Sequence, residues 1–211
     1  MKLSVEEIEI ISDYLSKSGI KQVDIKFELL DHIAIEIEEL VVLENCSFEE
    51  ALEKIKQKWN PFFVQSKSFH IGLIYSFPKI VLNKIESRIK KVNLSILLLV
   101  VLWAFCSFAF NLDLLVNQRL NSFINYSGIA IGVVLLVVSF FINYKSQPTT
   151  YRFLVNQSSP SILFWLLYIY YFDYGMNSLK LFFLLLLSLQ FVIVCFYVYN
   201  HINCIKKYHL V

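Results

Sequence analysis

Two hydrophobic rhythms divide this chain. From Asn93 onward, long apolar runs alternate with short polar breaks, whereas the first sixty residues repeat apolar positions at intervals of three and four. The run Leu94–Phe110 has no charge and contains eleven Leu, Ile, Val or Phe. Each of these favours insertion by roughly 0.3–0.6 kcal/mol near a bilayer centre. Further runs cover 123–142, 156–172 and 181–199, so the pattern predicts four transmembrane helices. The third is the weakest. Its apolar part, Pro160–Phe172, would give a helix of only about 20 Å against a hydrocarbon layer of about 30 Å.

The N-terminal pattern predicts three short helices. Ser4-Val5-Glu6-Glu7 reads as a capping box ahead of Ile8, Ile11 and Leu15, and Gly19 ends that helix with Ile20 placed to fold back on it. The second helix carries Val23, Phe27, Leu30, Ala34, Ile37 and Val41, a face widened by Leu29, Ile33 and Leu40. Ser47-Phe48-Glu49-Glu50 is a second capping box before Leu52, Ile55 and Trp59, and Pro61 closes the third helix. The expected fold class is therefore all-α. A small three-helix cytoplasmic domain (1–61) is followed by an amphipathic basic connector (62–92) and a four-helix transmembrane bundle (93–211).

Charge adds an orientation. Up to residue 60, fourteen acids face seven bases, a net of about −7; beyond it, three acids face twelve bases, a net of about +9. An acidic head is unsuited to nucleic acid, whose phosphates need Lys and Arg, so no direct nucleic-acid partner is expected. Lys79, Lys84, Arg88, Lys90 and Lys91 precede the first span, Lys145 and Arg152 follow the second, and Lys206 and Lys207 follow the fourth. The two other loops hold one base each, Arg119 and Lys180, near Asp113 and Asp173. Positive-inside therefore puts both termini in the cytoplasm. No ionisable residue interrupts the four apolar runs, which argues against proton-coupled transport and intramembrane hydrolysis. The chain is expected to be non-enzymatic, with no cofactor and no metal. Its four scattered cysteines suit packing rather than a disulfide framework.

Three groups of residues are candidates for contacts. Glu28, His32 and Glu36 share a helix face at spacings of four, beside Asp31. Such a face can be merely solvated, can bind a protein partner, or can bind a divalent metal or hold a titrating imidazole, the solvated face being the plain expectation. Gly128 and Gly132 form a Gly-x-x-x-Gly that allows close helix approach, within this bundle or in a homodimer. The connector pairs Ile80, Val81, Leu82, Ile85, Ile89 and Val92 with the five cations from Lys79 to Lys91. That pattern fits a helix lying on anionic membrane lipid through its headgroups, and equally a cytoplasmic extension of the first span.

The segments Glu28-Leu29-Leu30-Asp31-His32-Ile33 and Ser47-Phe48-Glu49-Glu50-Ala51-Leu52 resemble the bacterial HAAS signalling domain. They are also similar to the prefix domain found ahead of some ABC-transporter permeases. The likeness covers about residues 5–62. It departs from the family pattern at Cys46, where Gly is usual, and at Asn60-Pro61, a reduced form of the closing Gly-x-Pro. The resemblance implies a regulatory or sensory protein of the bacterial cytoplasmic (inner) membrane. Its head would bind a cytoplasmic protein such as a PadR-like transcription regulator. An accessory subunit of a transporter, docked on a permease, is the alternative, and a lipid-handling protein comes third.

Overall fold

The protein is described by a computed structural model over residues 2–110, 118–144, 147–171 and 177–208. Asp113, Lys145 and Asp173, and the end of the third expected span at Phe172, lie outside the described residues. The chain forms two compact units. The first contains Met1–Ile89 with Pro148–Thr150, and the second Lys90–Gln147 with Tyr151–Val211.

Helices α1 (Val5–Lys17), α2 (Val23–Glu44) and α3 (Phe48–Trp59) build the head of the first unit. Both expected capping boxes form. Ser4 accepts from the Glu7 amide while Glu7 accepts from the Ser4 amide, and Ser47 and Glu50 repeat the exchange. These reciprocal bonds satisfy amide donors that a helix start otherwise leaves to water. Gly19 ends α1 at φ 85°, in the left-handed region that glycine enters without a Cβ penalty, and Ile20 behind it is buried. Asn45 ends α2 in the same way at φ 48°.

The core differs in detail from the expected faces. In α2 the buried stripe is Ile25, Leu29, Ile33 and Ile37, while Val23, Phe27, Leu30, Ala34 and Val41 are only half-buried. Steps of four carry one continuous row along the helix, and that row meets Ile11 and Leu15 of α1 and Ala51, Leu52 and Ile55 of α3 in a shared core. Ile8, expected inside, is exposed. Trp59 stacks on Phe63, and Phe63 meets Tyr14 edge-on.

The phenol of Tyr14 donates to Asn60 Oδ1 at 2.7 Å. Burial pushes this phenol above its ordinary value of 10.0; a hydrogen bond with Ser18 opposes the shift and Glu53 adds to it. The fold thus favours the protonated form. Its contribution to stability is fully present below pH 10.0 and is lost as pH climbs through the higher folded value. We expect Tyr14→Phe to flatten the alkaline limb of the head's stability curve, while costing within about 1 kcal/mol at neutral pH. Trp59 fluorescence in a chain carrying Trp103→Phe and Trp165→Phe would follow both.

Beyond α3, a 3-10 turn (Asn60–Phe62) leads to an antiparallel pair, β1 (Gln65–Ser66) and β2 (Phe77–Pro78), in which Gln65 faces Pro78 and Ser66 faces Phe77. This short ladder departs from the purely helical expectation, so the fold is nearly all-α. Helix α4 (Lys79–Phe110) then runs unbroken for 32 residues. Its first turns bury Val81, Leu82 and Ile85 inside the first unit. The connector's apolar stripe is thus buried within the first unit, which continues past residue 61 to Ile89.

In the second unit, α5 (Gln118–Asn143) packs on α7 (Asn177–Lys207), with α6 (Thr150–Tyr171) between them in sequence. Among the described residues, three helices are long and apolar enough to cross a membrane: Lys79–Ala109, Arg119–Asn143 and Lys180–Lys207. Their most apolar windows are 0%, 28% and 22% buried within the protein, which leaves surfaces suited to lipid rather than water. Helix α6 has the length, at 22 residues, but Asn156, Gln157, Ser158 and Ser159 interrupt its apolar sequence. Asn156 exchanges hydrogen bonds with Asn143 of α5, and Gln190 of α7 donates to the Ser158 carbonyl and to Ser161 Oγ. Helix α6 thus adds polar side-chain contacts to the apolar packing of its buried Leu154, Val155 and Ile162.

Candidate functional site

The polar feature with the widest reach lies where the head meets the starts of α4 and α6. Asp24, in the first turn of α2, is buried. Its Oδ1 accepts from the Thr150 amide at 2.9 Å, and its Oδ2 accepts from the Thr150 hydroxyl. That hydroxyl in turn accepts from Arg88 Nη1 of α4, and Arg88 stands 3.7 Å from the Asp24 carboxylate. One residue earlier in α2, the Val23 amide donates to the Pro148 carbonyl at 2.8 Å. Thr149 and Thr150 are both buried, and Gln22 is buried with its side-chain oxygen unpaired among the described residues.

The arrangement has a clear electrostatic logic. Thr150 is the first residue of α6, so its amide is one of the donors a helix cannot satisfy internally. Asp24 supplies the acceptor from a distant part of the chain and places negative charge at the N-termini of both α2 and α6. Arg88 compensates that charge. Since Asp24 and Arg88 are respectively 9% and 20% exposed, the pair is largely desolvated, and removing one partner is costly while the intact pair adds little net stability.

One turn along, Lys84 pairs with Glu28. Asp24 with Arg88 and Glu28 with Lys84 set α2 and the first turns of α4 antiparallel. Glu36 accepts from Lys58 Nζ at 2.8 Å and from Trp59 Nε1 at 3.2 Å, tying α2 to α3. Of the acidic candidates, Glu28 and Glu36 are thus engaged inside the head, while Asp31 and His32 are exposed. A shallow groove of about 280 Å³ opens between α2 and α3, with Leu40, Leu43 and Ile55 along it and Glu39, Lys54 and Lys58 at its sides.

The other candidates separate. Lys84 and Arg88 are occupied within the first unit, whereas Lys79, Lys90 and Lys91 are exposed. Gly128 and Gly132 are buried, and a Cβ on Gly132 would stand 2.4 Å from Leu166 Cδ2 of α6. Close approach at Gly132 thus serves packing between two helices of this chain. Sequence reasoning passed over Asp24 and Thr150 as a pair, because 126 positions separate them. The only local signal was a Thr-Thr preceding a helix, which suits a helix start. Comparison with protein-family models, curated proteins and solved structures finds no match for this chain.

Proposed function

We propose that this chain is a non-enzymatic regulatory protein of the bacterial cytoplasmic membrane whose acidic head binds a cytoplasmic protein. The observation that carries the reading is the Asp24 cluster, in which one side chain of α2 bonds to the starts of both α4 and α6. A partner that shifts α2 changes the polar contacts at two helices at once, and the reverse path carries a membrane event to the head. The HAAS-like segments agree with this role, with a PadR-like regulator as the partner the resemblance suggests. Exposed Asp31 and His32 are the proposed contact points.

The topology belongs to the same proposal: four spans with both termini cytoplasmic. Residues 148–150 pack in one unit with the head, as expected if α4 and α5 form an out-and-back pair of spans. This favours the arrangement that the cations of the loops also suggest. A reporter fused at residue 148 should read cytoplasmic, and an external signal there would contradict it.

Photo-crosslinkers at Asp31 and His32, followed by pull-down from membranes, test the partner. A regulator should recover a DNA-binding protein, and an accessory subunit a permease or nucleotide-binding chain. Recovery of neither would contradict the proposed role of this face.

A further inference from the structure

Residues 65–78 form a built loop with an apolar tip. The β1–β2 pair closes its base, the buried side chain of Ile71 plugs its centre, and Gly72 turns it at φ 104°. The amides of Ile71 and Gly72 donate to the Ser68 carbonyl, and the Tyr75 amide donates to the Gly72 carbonyl. Around this frame Phe69, Leu73, Ile74 and Tyr75 are 84%, 60%, 92% and 43% exposed. Four large apolar side chains displayed within seven residues are a costly surface in water and mark an interaction site.

Two further observations say what covers it. The first is position. Ser68 Oγ donates to Glu86 Oε1 of α4 at 2.9 Å, and His70 Nε2 lies 4.0 Å from the same carboxylate. Glu86 stands seven residues before Asn93, where the apolar run of α4 begins, and at 1.5 Å per residue this is about 10 Å. The headgroup layer occupies roughly 5–7 Å outside the hydrocarbon. Ser68 thus ties the loop to α4 about two turns before its apolar run, close to the depth at which a headgroup layer begins. The second is charge. Between Phe62 and Ile85 there is no acid, and Lys67 and Lys79 are exposed.

We propose that the tip formed by Phe69, Leu73, Ile74 and Tyr75 inserts into the interfacial layer of an anionic bilayer, with Lys67 and Lys79 meeting lipid phosphates. The proposal rests on the reading of α4 as a membrane span, and it moves the lipid contact from the apolar stripe of α4 to this loop. Val81, Leu82 and Ile85 are inside the head and cannot face lipid. An apolar body with flanking cations suits the boundary between headgroups and acyl chains.

The test uses the full chain in nanodiscs containing phosphatidylglycerol, with brominated acyl chains as the quencher. Three versions each carry one tryptophan: native Trp103 alone, I74W alone and L43W alone. Leu43 is 80% exposed and apolar, but sits at the far end of α2 from Asp24. Trp103 should be strongly quenched, I74W at least twofold more than L43W, and L43W little. Equal quenching of I74W and L43W, with Trp103 quenched, would overturn the proposal and leave the tip for a protein partner. Failure to quench Trp103 would overturn the membrane span on which it rests. Replacing phosphatidylglycerol by phosphatidylcholine should weaken I74W quenching; an unchanged value would contradict the anionic preference.

Discussion

Replacing Asp24 by Ala lowers the stability of the head by roughly 3 kcal/mol, the scale expected when one partner of a largely buried ion pair is removed. The loss has two parts. Arg88, at 20% exposure, loses its Asp24 partner, and the Thr150 amide loses its acceptor at the start of α6. The variants should therefore fall in a fixed order. Asp24→Asn keeps an acceptor for the Thr150 amide but removes the charge that Arg88 faces, so its effect lies between. Thr150→Ala leaves the amide bond and removes only the hydroxyl, at about 1 kcal/mol. Denaturant unfolding in detergent, followed by Trp59 in the chain with Trp103→Phe and Trp165→Phe, reads the series. A D24A curve within about 0.5 kcal/mol of the parent would mean that the cluster is a surface contact only.

The second large effect belongs to Ile85→Ala. Its side chain is wholly buried although it lies on the helix that leads into the first apolar run. Truncating a fully buried Ile costs about 3 kcal/mol, from lost burial and the cavity left behind. Asn83, exposed two residues earlier, is the control and should change stability by no more than about 0.5 kcal/mol as Ala. If the start of α4 lay on lipid instead, Ile85→Ala would weaken membrane attachment and leave the Trp59 transition in place.

These two residues also mark where the sequence could and could not be read. Caps are local, and Ser4, Ser47 and Gly19 announced their helix ends because each acts within three or four residues of itself. The buried row of α2 was harder. Apolar residues occupy more of that helix than one core can cover, and only the neighbouring helices select Ile25, Leu29, Ile33 and Ile37 over Phe27, Leu30 and Ala34. The connector posed a sharper ambiguity. An apolar stripe with cations has the same pattern whether lipid or protein covers it, and burial of Val81 and Ile85 within the first unit is a tertiary fact. The sequence places helix α6 from residue 156 on the strength of its apolar half, Pro160–Phe172, while its start at Thr150 follows only when Asp24 is brought to it. Of the candidate face, Asp31 and His32 are where a helix of period 3.6 puts them, on the outside. The partners of Glu28 and Glu36 come from α4 and α3, beyond the reach of periodicity.

The central claim is that α2, the first turns of α4 and the start of α6 respond together through Asp24. Hydrogen exchange on the full chain in nanodiscs, comparing the parent with D24A, tests it most directly. Amides in the first turns of α2, in residues 79–89 and at Thr150 should accelerate together and by similar factors, as parts of one cooperative unit. Acceleration confined to the turn around Asp24, with residues 79–89 and Thr150 unchanged, would contradict it.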